Sequence, residues 1–131
     1  MSSSASPSAE TSNPGVRVML VDDNIDALES MEILLQAFGY EVRTAPHPET
    51  ALTLIETFRP TVAVVDIGLP GMDGYQLAAE IRRRQAGAPL RLIAFTGYGG
   101  ADDIARATAA GFDAHLVKPV EIDRLLAVLT G

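Results

Sequence analysis

Four mainly apolar segments of the sequence end on polar side chains that could do chemistry together. The residues concerned are Asp22, Asp23, Asp66, Thr96 and Lys118. Three carboxylates brought close together repel one another, so a site built from them needs cations. Lys118 is one cation, and Mg²⁺, which prefers carboxylate and carbonyl oxygens, is the natural second. Such a group suits phosphoryl transfer, in which a carboxylate attacks phosphorus and cations neutralise the oxygens of the transferred group.

Asp66 is the candidate nucleophile. It ends the apolar run Val62–Val65, and the glycine- and proline-rich stretch 68–74 follows it, so the chain leaves a buried strand through an irregular loop. The carboxyl ends of parallel strands are where open α/β sheets bind ligands. Taken alone, Asp66 has a second interpretation, which is that it only caps the turn after the strand. If Asp66 is the nucleophile, the Thr96 hydroxyl would donate a hydrogen bond to the phosphoryl group.

The apolar periodicity predicts five strands, each followed by a helix. The strands are β1 (Val16–Val21), β2 (Glu41–Ala45), β3 (Val62–Asp66), β4 (Leu90–Phe95) and β5 (Ala114–Val117), and the helices are α1 (Ile25–Phe38), α2 (Pro48–Phe58), α3 (Tyr75–Arg84), α4 (Ala101–Ala110) and α5 (Glu121–Leu129). This alternation indicates an α/β fold, a flavodoxin-like (βα)5 three-layer sandwich whose parallel sheet has the order 2-1-3-4-5. In that order β1 and β3 are neighbours, so the three carboxylates share one crevice with Lys118 and Thr96 on its rim.

Composition narrows the possibilities further. Residues 1–15 are rich in serine and proline and predict a disordered tail or linker before one domain at 16–131. The formal charge of −7 argues against direct nucleic-acid binding, and the absence of cysteine excludes disulfides and thiolate metal sites. No run has membrane-spanning length and no signal peptide is visible, so we expect a cytoplasmic protein without membrane contact. The basic cluster Arg82–Arg84 is interpreted as a solvated helix end.

With these motifs in place, the chain resembles the receiver domain of two-component response regulators. The matching residues are Asp22-Asp23, Asp66, Thr96 and Lys118-Pro119. The resemblance covers Val16–Leu129 and is most specific in Asp66–Gly74 and in Phe95–Tyr98. It implies that the phosphoryl donor is a phosphohistidine on a histidine kinase or a histidine phosphotransfer domain. It also implies a cis peptide bond between Lys118 and Pro119, because X–Pro bonds are the common place for one.

The resemblance assigns a role to each candidate residue. Asp66 is implied to be the phospho-acceptor, Lys118 to bind the phosphoryl group, and Thr96 to be the switch hydroxyl. The implied Mg²⁺ ligands are Asp22, Asp23, Asp66 and the backbone carbonyl of Gly68.

One position departs from the family pattern. The family usually has Tyr or Phe three residues before the lysine, and here that residue is His115. It either simply fills the slot or makes the switch sensitive to pH, since histidine changes charge near neutral pH. We expect a downstream protein partner to bind the α4-β5-α5 face, because the loop 97–100 leads from Thr96 into a helix whose one large apolar anchor is Ile104. His47, in a turn between two prolines, is interpreted as inert.

Three alternatives are weighed against a receiver. An aspartyl-nucleophile phosphatase of the haloacid dehalogenase type has a second acid two residues after the nucleophile, where this chain has Gly68. A flavodoxin needs a phosphate-binding loop after β1, where Asp22 and Asp23 would repel the phosphate. A phosphorylation-independent pseudo-receiver would normally have lost part of the acidic pocket. We therefore expect a phospho-acceptor that assists its own phosphorylation and dephosphorylation, and not an enzyme that converts a metabolite. It is either a single-domain regulator or the receiver of a hybrid histidine kinase, to which the run 97–100 is more similar.

Overall fold

The computed structural model describes residues 15–68, 73–85, 87, 89–97 and 101–130. The described strands are β1 (Arg17–Val21), β2 (Glu41–Ala45), β3 (Val62–Asp66), β4 (Arg91–Thr96) and β5 (Ala114–Val117), and the helices are α1 (Ile25–Ala37), α2 (Pro48–Thr57), α3 (Gly74–Gln85), α4 (Ala101–Ala110) and α5 (Ile122–Thr130). Each predicted element is present, and its ends shift by no more than a residue. The predicted tail before Gly15 and the loop residues 98–100 lie outside the described residues.

The strands form one parallel sheet in the order β2-β1-β3-β4-β5, which confirms the flavodoxin-like topology. Every residue of β3 is buried, because this strand lies at the centre of the sheet and helices cover both of its faces. The more polar β2 lies at one edge, as its sequence predicts, and β5 lies at the other.

Alternate residues of the strands pack into two separate apolar layers. One layer joins the sheet to α2, α3 and α4, and the other joins it to α1 and α5. In β4, Leu92 and Ala94 belong to the first layer, whereas Ile93 and Phe95 belong to the second. Because side chains alternate along a strand, the consecutive residues Phe95 and Thr96 point to opposite faces of the sheet. This alternation decides which side of the site each of them reaches.

Local signals set the ends of several helices. Asn24 caps α1, since its side chain accepts a hydrogen bond of 3.1 Å from the Ala27 N–H. Gly39 ends the same helix with a φ of 88°, a conformation that glycine adopts without strain. Pro48 occupies the first turn of α2, where its missing N–H costs nothing. The start of α1, directly after Asp22 and Asp23, is therefore fixed locally.

The interpretation of the basic cluster at the end of α3 as a solvated helix end is wrong for Arg82. Its guanidinium donates hydrogen bonds to the carbonyls of Leu90 and Gly111, at 2.6 and 2.7 Å, and to the Asp113 carboxylate at 2.6 Å. The two arginines that follow pair with acidic side chains. Neighbouring helical residues point about 100° apart, so Arg82 can point toward the connections before β4 and β5 while Arg83 and Arg84 point elsewhere. Arg82 joins α3 to the start of β4 and to the turn before β5.

Helix α4 has a modest apolar anchor. Ile104 is half-buried, and Ala107 is the buried residue among the described side chains of this helix. The Arg106 guanidinium lies over the Tyr75 ring of α3, with 4.2 Å between Cζ and the ring centroid. In the described ranges, the helices are too short or too polar to cross a membrane.

Candidate functional site

The strand order brings the three predicted carboxylates together. Asp22 and Asp66 each follow the register pair Val21 and Val65, so they leave neighbouring strands at the same level. Together with Asp23, they offer carboxylate oxygens that all lie within 4.8 Å of one another. Asp22 and Asp66 are only 5% and 8% exposed, whereas Asp23 is exposed. The prediction of a shared acidic crevice is therefore confirmed.

Each of the two buried carboxylates uses one oxygen to hold its own loop. Asp22 Oδ1 accepts a hydrogen bond of 2.9 Å from the Asn24 N–H, and Asp66 Oδ1 accepts one of 3.0 Å from the Gly68 N–H. Asp66 thus caps the turn after β3, as the simpler interpretation has it. Its second oxygen, Oδ2, faces Lys118, so the turn cap and the lysine contact use different oxygens of the same carboxylate.

Lys118 reaches into the crevice from the end of β5. Its Nζ lies 3.3 Å from Asp66 Oδ2 and 3.7 Å from Asp22 Oδ2. Its backbone N–H donates to the Thr96 carbonyl at 2.8 Å, which fixes the chain beside β4. The peptide bond between Lys118 and Pro119 is cis, which confirms that prediction. Lys118 therefore forms ion pairs with two buried carboxylates, those of Asp22 and Asp66.

The charge balance of the crevice favours a further cation. Burial raises the pKa of the Asp22 carboxyl above its ordinary value, and the neighbouring Asp66 carboxylate raises it further. The hydrogen bond from Asn24 and the positive charge of Lys118 lower this pKa but do not cancel the rise. Three clustered carboxylates with hard oxygen donors fit Mg²⁺, whose charge would relieve their repulsion.

Thr96 and His115 lie on the two last strands of the sheet. Thr96 ends β4, is 8% exposed and pairs in register with Val117. His115 pairs with Ala94 and is half-buried. Because positions two apart share a face of the sheet, Thr96 and His115 lie on the same face as diagonal neighbours. His47 lies in the N-cap position of α2, exposed and without a side-chain capping bond.

Two residues of the site make contacts that the sequence patterns do not predict. The Phe95 ring lies under the ammonium of Lys118, with 4.9 Å from Nζ to the ring centroid. Gly74 starts α3 directly against the end of β3, and its N–H donates to the Ile67 carbonyl at 2.9 Å. Phe95 belongs to an apolar run and Gly74 to a glycine-rich loop, and neither sequence pattern indicates which distant group the residue contacts.

The family model of the response regulator receiver domain matches residues 18–130. The chain belongs to this family. Its structure is similar to that of the chemotaxis protein CheY4 of Vibrio cholerae, with a TM-score of 0.81 at 28% identity, covering 88% of this chain and 96% of CheY4.

Two relatives show different settings for a receiver. Protein PilG of Pseudomonas aeruginosa is 32% identical over 120 residues, which cover 92% of this chain and 89% of PilG. The sensor histidine kinase GacS of Pseudomonas protegens is 31% identical over 126 residues, which cover 94% of this chain but 14% of the kinase. Receivers like this one therefore occur both as nearly whole proteins and as small parts of large ones.

Proposed function

We propose that this receiver accepts a phosphoryl group on Asp66 from a phosphohistidine of a histidine kinase or histidine phosphotransfer domain. The observation that carries the proposal is the pairing of Asp66 Oδ2 with Lys118 Nζ at 3.3 Å, while Asp66 Oδ1 is held by the Gly68 N–H at 3.0 Å. One oxygen is thereby kept in place as the turn cap, and the other is presented beside a cation. Oδ2 is the proposed attacking atom.

In the proposed reaction, Asp66 Oδ2 forms a bond to phosphorus as the phosphorus–nitrogen bond of the donor breaks. The electron pair of that bond returns to the donor imidazole. Lys118 neutralises charge on the transferred phosphoryl oxygens, and the Thr96 hydroxyl donates a hydrogen bond to one of them.

The acidic cluster supplies the proposed metal site. When bound to Asp22, Asp23, Asp66 and the Gly68 carbonyl, Mg²⁺ would offset the negative charge shared by the carboxylates and the phosphoryl group. Hydrolysis of the aspartyl phosphate would use the same residues, so the domain assists both steps on itself without converting a metabolite. The complete acidic cluster favours this function over a phosphorylation-independent interaction module.

We propose that the phosphohistidine partner binds along α1. Ile25 and Leu34 on this helix are 51% and 40% exposed, and Phe38, the residue that ends it, is 46% exposed. Leu34 lines a groove of about 210 Å³ between α1 and α5, and two other lining residues, Ala27 and Met31, also line a small cavity beside Asp22. The acidic residues Asp26, Glu29 and Glu32 of α1 favour a partner that presents apolar side chains together with basic ones.

We propose that a downstream partner reads phosphorylation on the α4-β5-α5 face. The modest anchoring of α4 supports this choice, because a helix held by Ala107 and by a surface stack of Arg106 on Tyr75 is easily displaced. On β5, Val117 is 39% exposed beside Thr96. Amide chemical shifts with and without beryllofluoride as a phosphoryl mimic should change in α4 and at His115. Changes confined to α1 and α2 would contradict this face.

The acceptor is tested by intact mass. With Mg²⁺ and acetyl phosphate, the chain should gain one phosphoryl group, and Asp66→Asn should abolish the gain. Asp26→Asn, which changes an exposed acid on α1, is the matched control and should label like the parent chain. Continued labelling of Asp66→Asn would show that another residue is the acceptor.

A further inference from the structure

The ammonium of Lys118 is bounded by an aromatic face as well as by carboxylates. Nζ lies 4.9 Å from the centroid of the Phe95 ring, within the range in which the electron-rich ring face attracts a cation. The oxygens of Asp66 and Asp22 lie 3.3 and 3.7 Å from the same atom. Phe95 itself is 8% exposed and packs in the apolar layer between the sheet, α1 and α5. The ring is therefore a fixed wall of the crevice.

The backbone ties this wall to the acceptor. Phe95 pairs in register with Asp66, and its carbonyl accepts a hydrogen bond of 3.0 Å from the Ile67 N–H. The next carbonyl, that of Thr96, accepts one of 2.8 Å from the Lys118 N–H. The carbonyls of two adjacent β4 residues thus hold the backbone at the end of β3 and the backbone of Lys118. These hydrogen bonds fix the positions of the Phe95 ring, Asp66 and the Lys118 backbone relative to one another.

We infer that Phe95 positions Lys118 for phosphoryl transfer. The lysine side chain is 37% exposed and has four flexible methylene groups, so without the ring the two carboxylates would hold its ammonium less tightly in place. The ring attracts the ammonium and excludes water from one side of it. Leucine at this position would keep the buried apolar volume approximately but would lack the aromatic face. The part of this inference that concerns transfer rests on the proposed function.

The kinetic test uses Asp66 labelling by acetyl phosphate in Mg²⁺. Phe95→Leu should lower the second-order rate constant about two- to fivefold, the range expected for loss of a partly exposed cation–π contact. The loss should appear as a higher KM with a little-changed maximal rate, because the lysine would contact the phosphoryl oxygens of the bound donor. Phe95→Tyr, which keeps the ring, should restore the parent value.

A matched control separates positioning from core packing. Phe112 is 5% exposed, as buried as Phe95, but it belongs to the opposite apolar layer. Phe112→Leu should leave KM unchanged even if it lowers the thermal stability. Equal KM changes in both leucine variants would overturn the inference, since core packing would then explain them.

A spectroscopic test is independent of phosphorylation. In the unphosphorylated chain, the ring current of Phe95 should shift the Lys118 Hε resonance upfield, and Phe95→Leu should remove this shift while Phe95→Tyr retains it. An unchanged Hε resonance in Phe95→Leu would overturn the contact whether or not Asp66 is labelled. If the parent chain is not labelled at all, the proposed function fails, and with it the transfer part of the inference, while the resonance still decides the contact. A lost shift with unaltered labelling would overturn the positioning role.

Discussion

A single methyl group at position 74 tests how closely α3 packs on the end of β3. A Cβ built on Gly74 would lie 2.5 Å from Ile67 Cα and 2.8 Å from the Asp66 carbonyl oxygen. Both are backbone atoms, so neither can rotate away. Overpacking of this kind costs about 1–3 kcal/mol, and two backbone overlaps place Gly74→Ala near the upper end. The better helix propensity of alanine offsets up to about 1 kcal/mol. The net loss in the free energy of unfolding is therefore about 2 kcal/mol.

The loss should be visible in thermal unfolding followed by far-UV circular dichroism. For a domain of this size, about 2 kcal/mol corresponds to a Tm lower by roughly 8 °C. Gly68→Ala is the matched control, because its Cβ would meet Asp66 Oδ1 at 3.7 Å, an ordinary contact. That variant should stay within about 0.5 kcal/mol of the parent chain and keep the carbonyl proposed for Mg²⁺. Since the overlap displaces Asp66 itself, Gly74→Ala should also label more slowly than Gly68→Ala. Equal Tm values for the two variants would refute the packing argument.

For three further substitutions, the contacts in the structure indicate whether stability or labelling should rise or fall. In EDTA at pH 7, Asp22→Asn should raise the free energy of unfolding by about 1 kcal/mol, because it removes a buried charge. Because the pKa of this carboxyl is raised in the folded state, the folded parent takes up the proton at a higher pH than the unfolded parent. The gain in stability should therefore shrink as the pH falls toward the ordinary range of aspartate. A gain that is constant from pH 7 to pH 4 would contradict this cause. Arg82→Met should cost about 2 kcal/mol in urea unfolding, since it removes the Arg82 donor from the Leu90 and Gly111 carbonyls and from the Asp113 carboxylate, which keeps its hydrogen bond from the Leu92 N–H. Arg83→Met should change stability by less than about 0.5 kcal/mol, and equal costs would contradict the joining role of Arg82. Leu34→Lys should slow labelling by a phosphorylated histidine phosphotransfer domain but not by acetyl phosphate, and equal slowing with both donors would place partner binding away from α1.

The elements and their order follow from short-range patterns that the chain carries in itself. The uninterrupted apolar run of β3 is typical of a strand buried on both faces, and it is buried at every residue. Pro48, Gly39 and Gly111 mark helix ends through backbone preferences that need no distant partner. The strand–helix alternation limits the sheet to a few topologies, and the predicted one places Asp22 beside Asp66.

Contacts between distant parts of the chain were decided by the tertiary structure alone. Arg82 bonds to Gly111, which lies 29 residues away, and only the packing of α3 against the turn before β5 selects it from three consecutive arginines. The stack of Lys118 on Phe95 depends on the register of β4 and β5 and on the face to which each side chain points. The apolar pattern of β4 predicts that Phe95 is buried but not that it contacts Lys118. The alternation of side chains along a strand determines the face on which a residue lies, whereas its neighbour on that face comes from another strand.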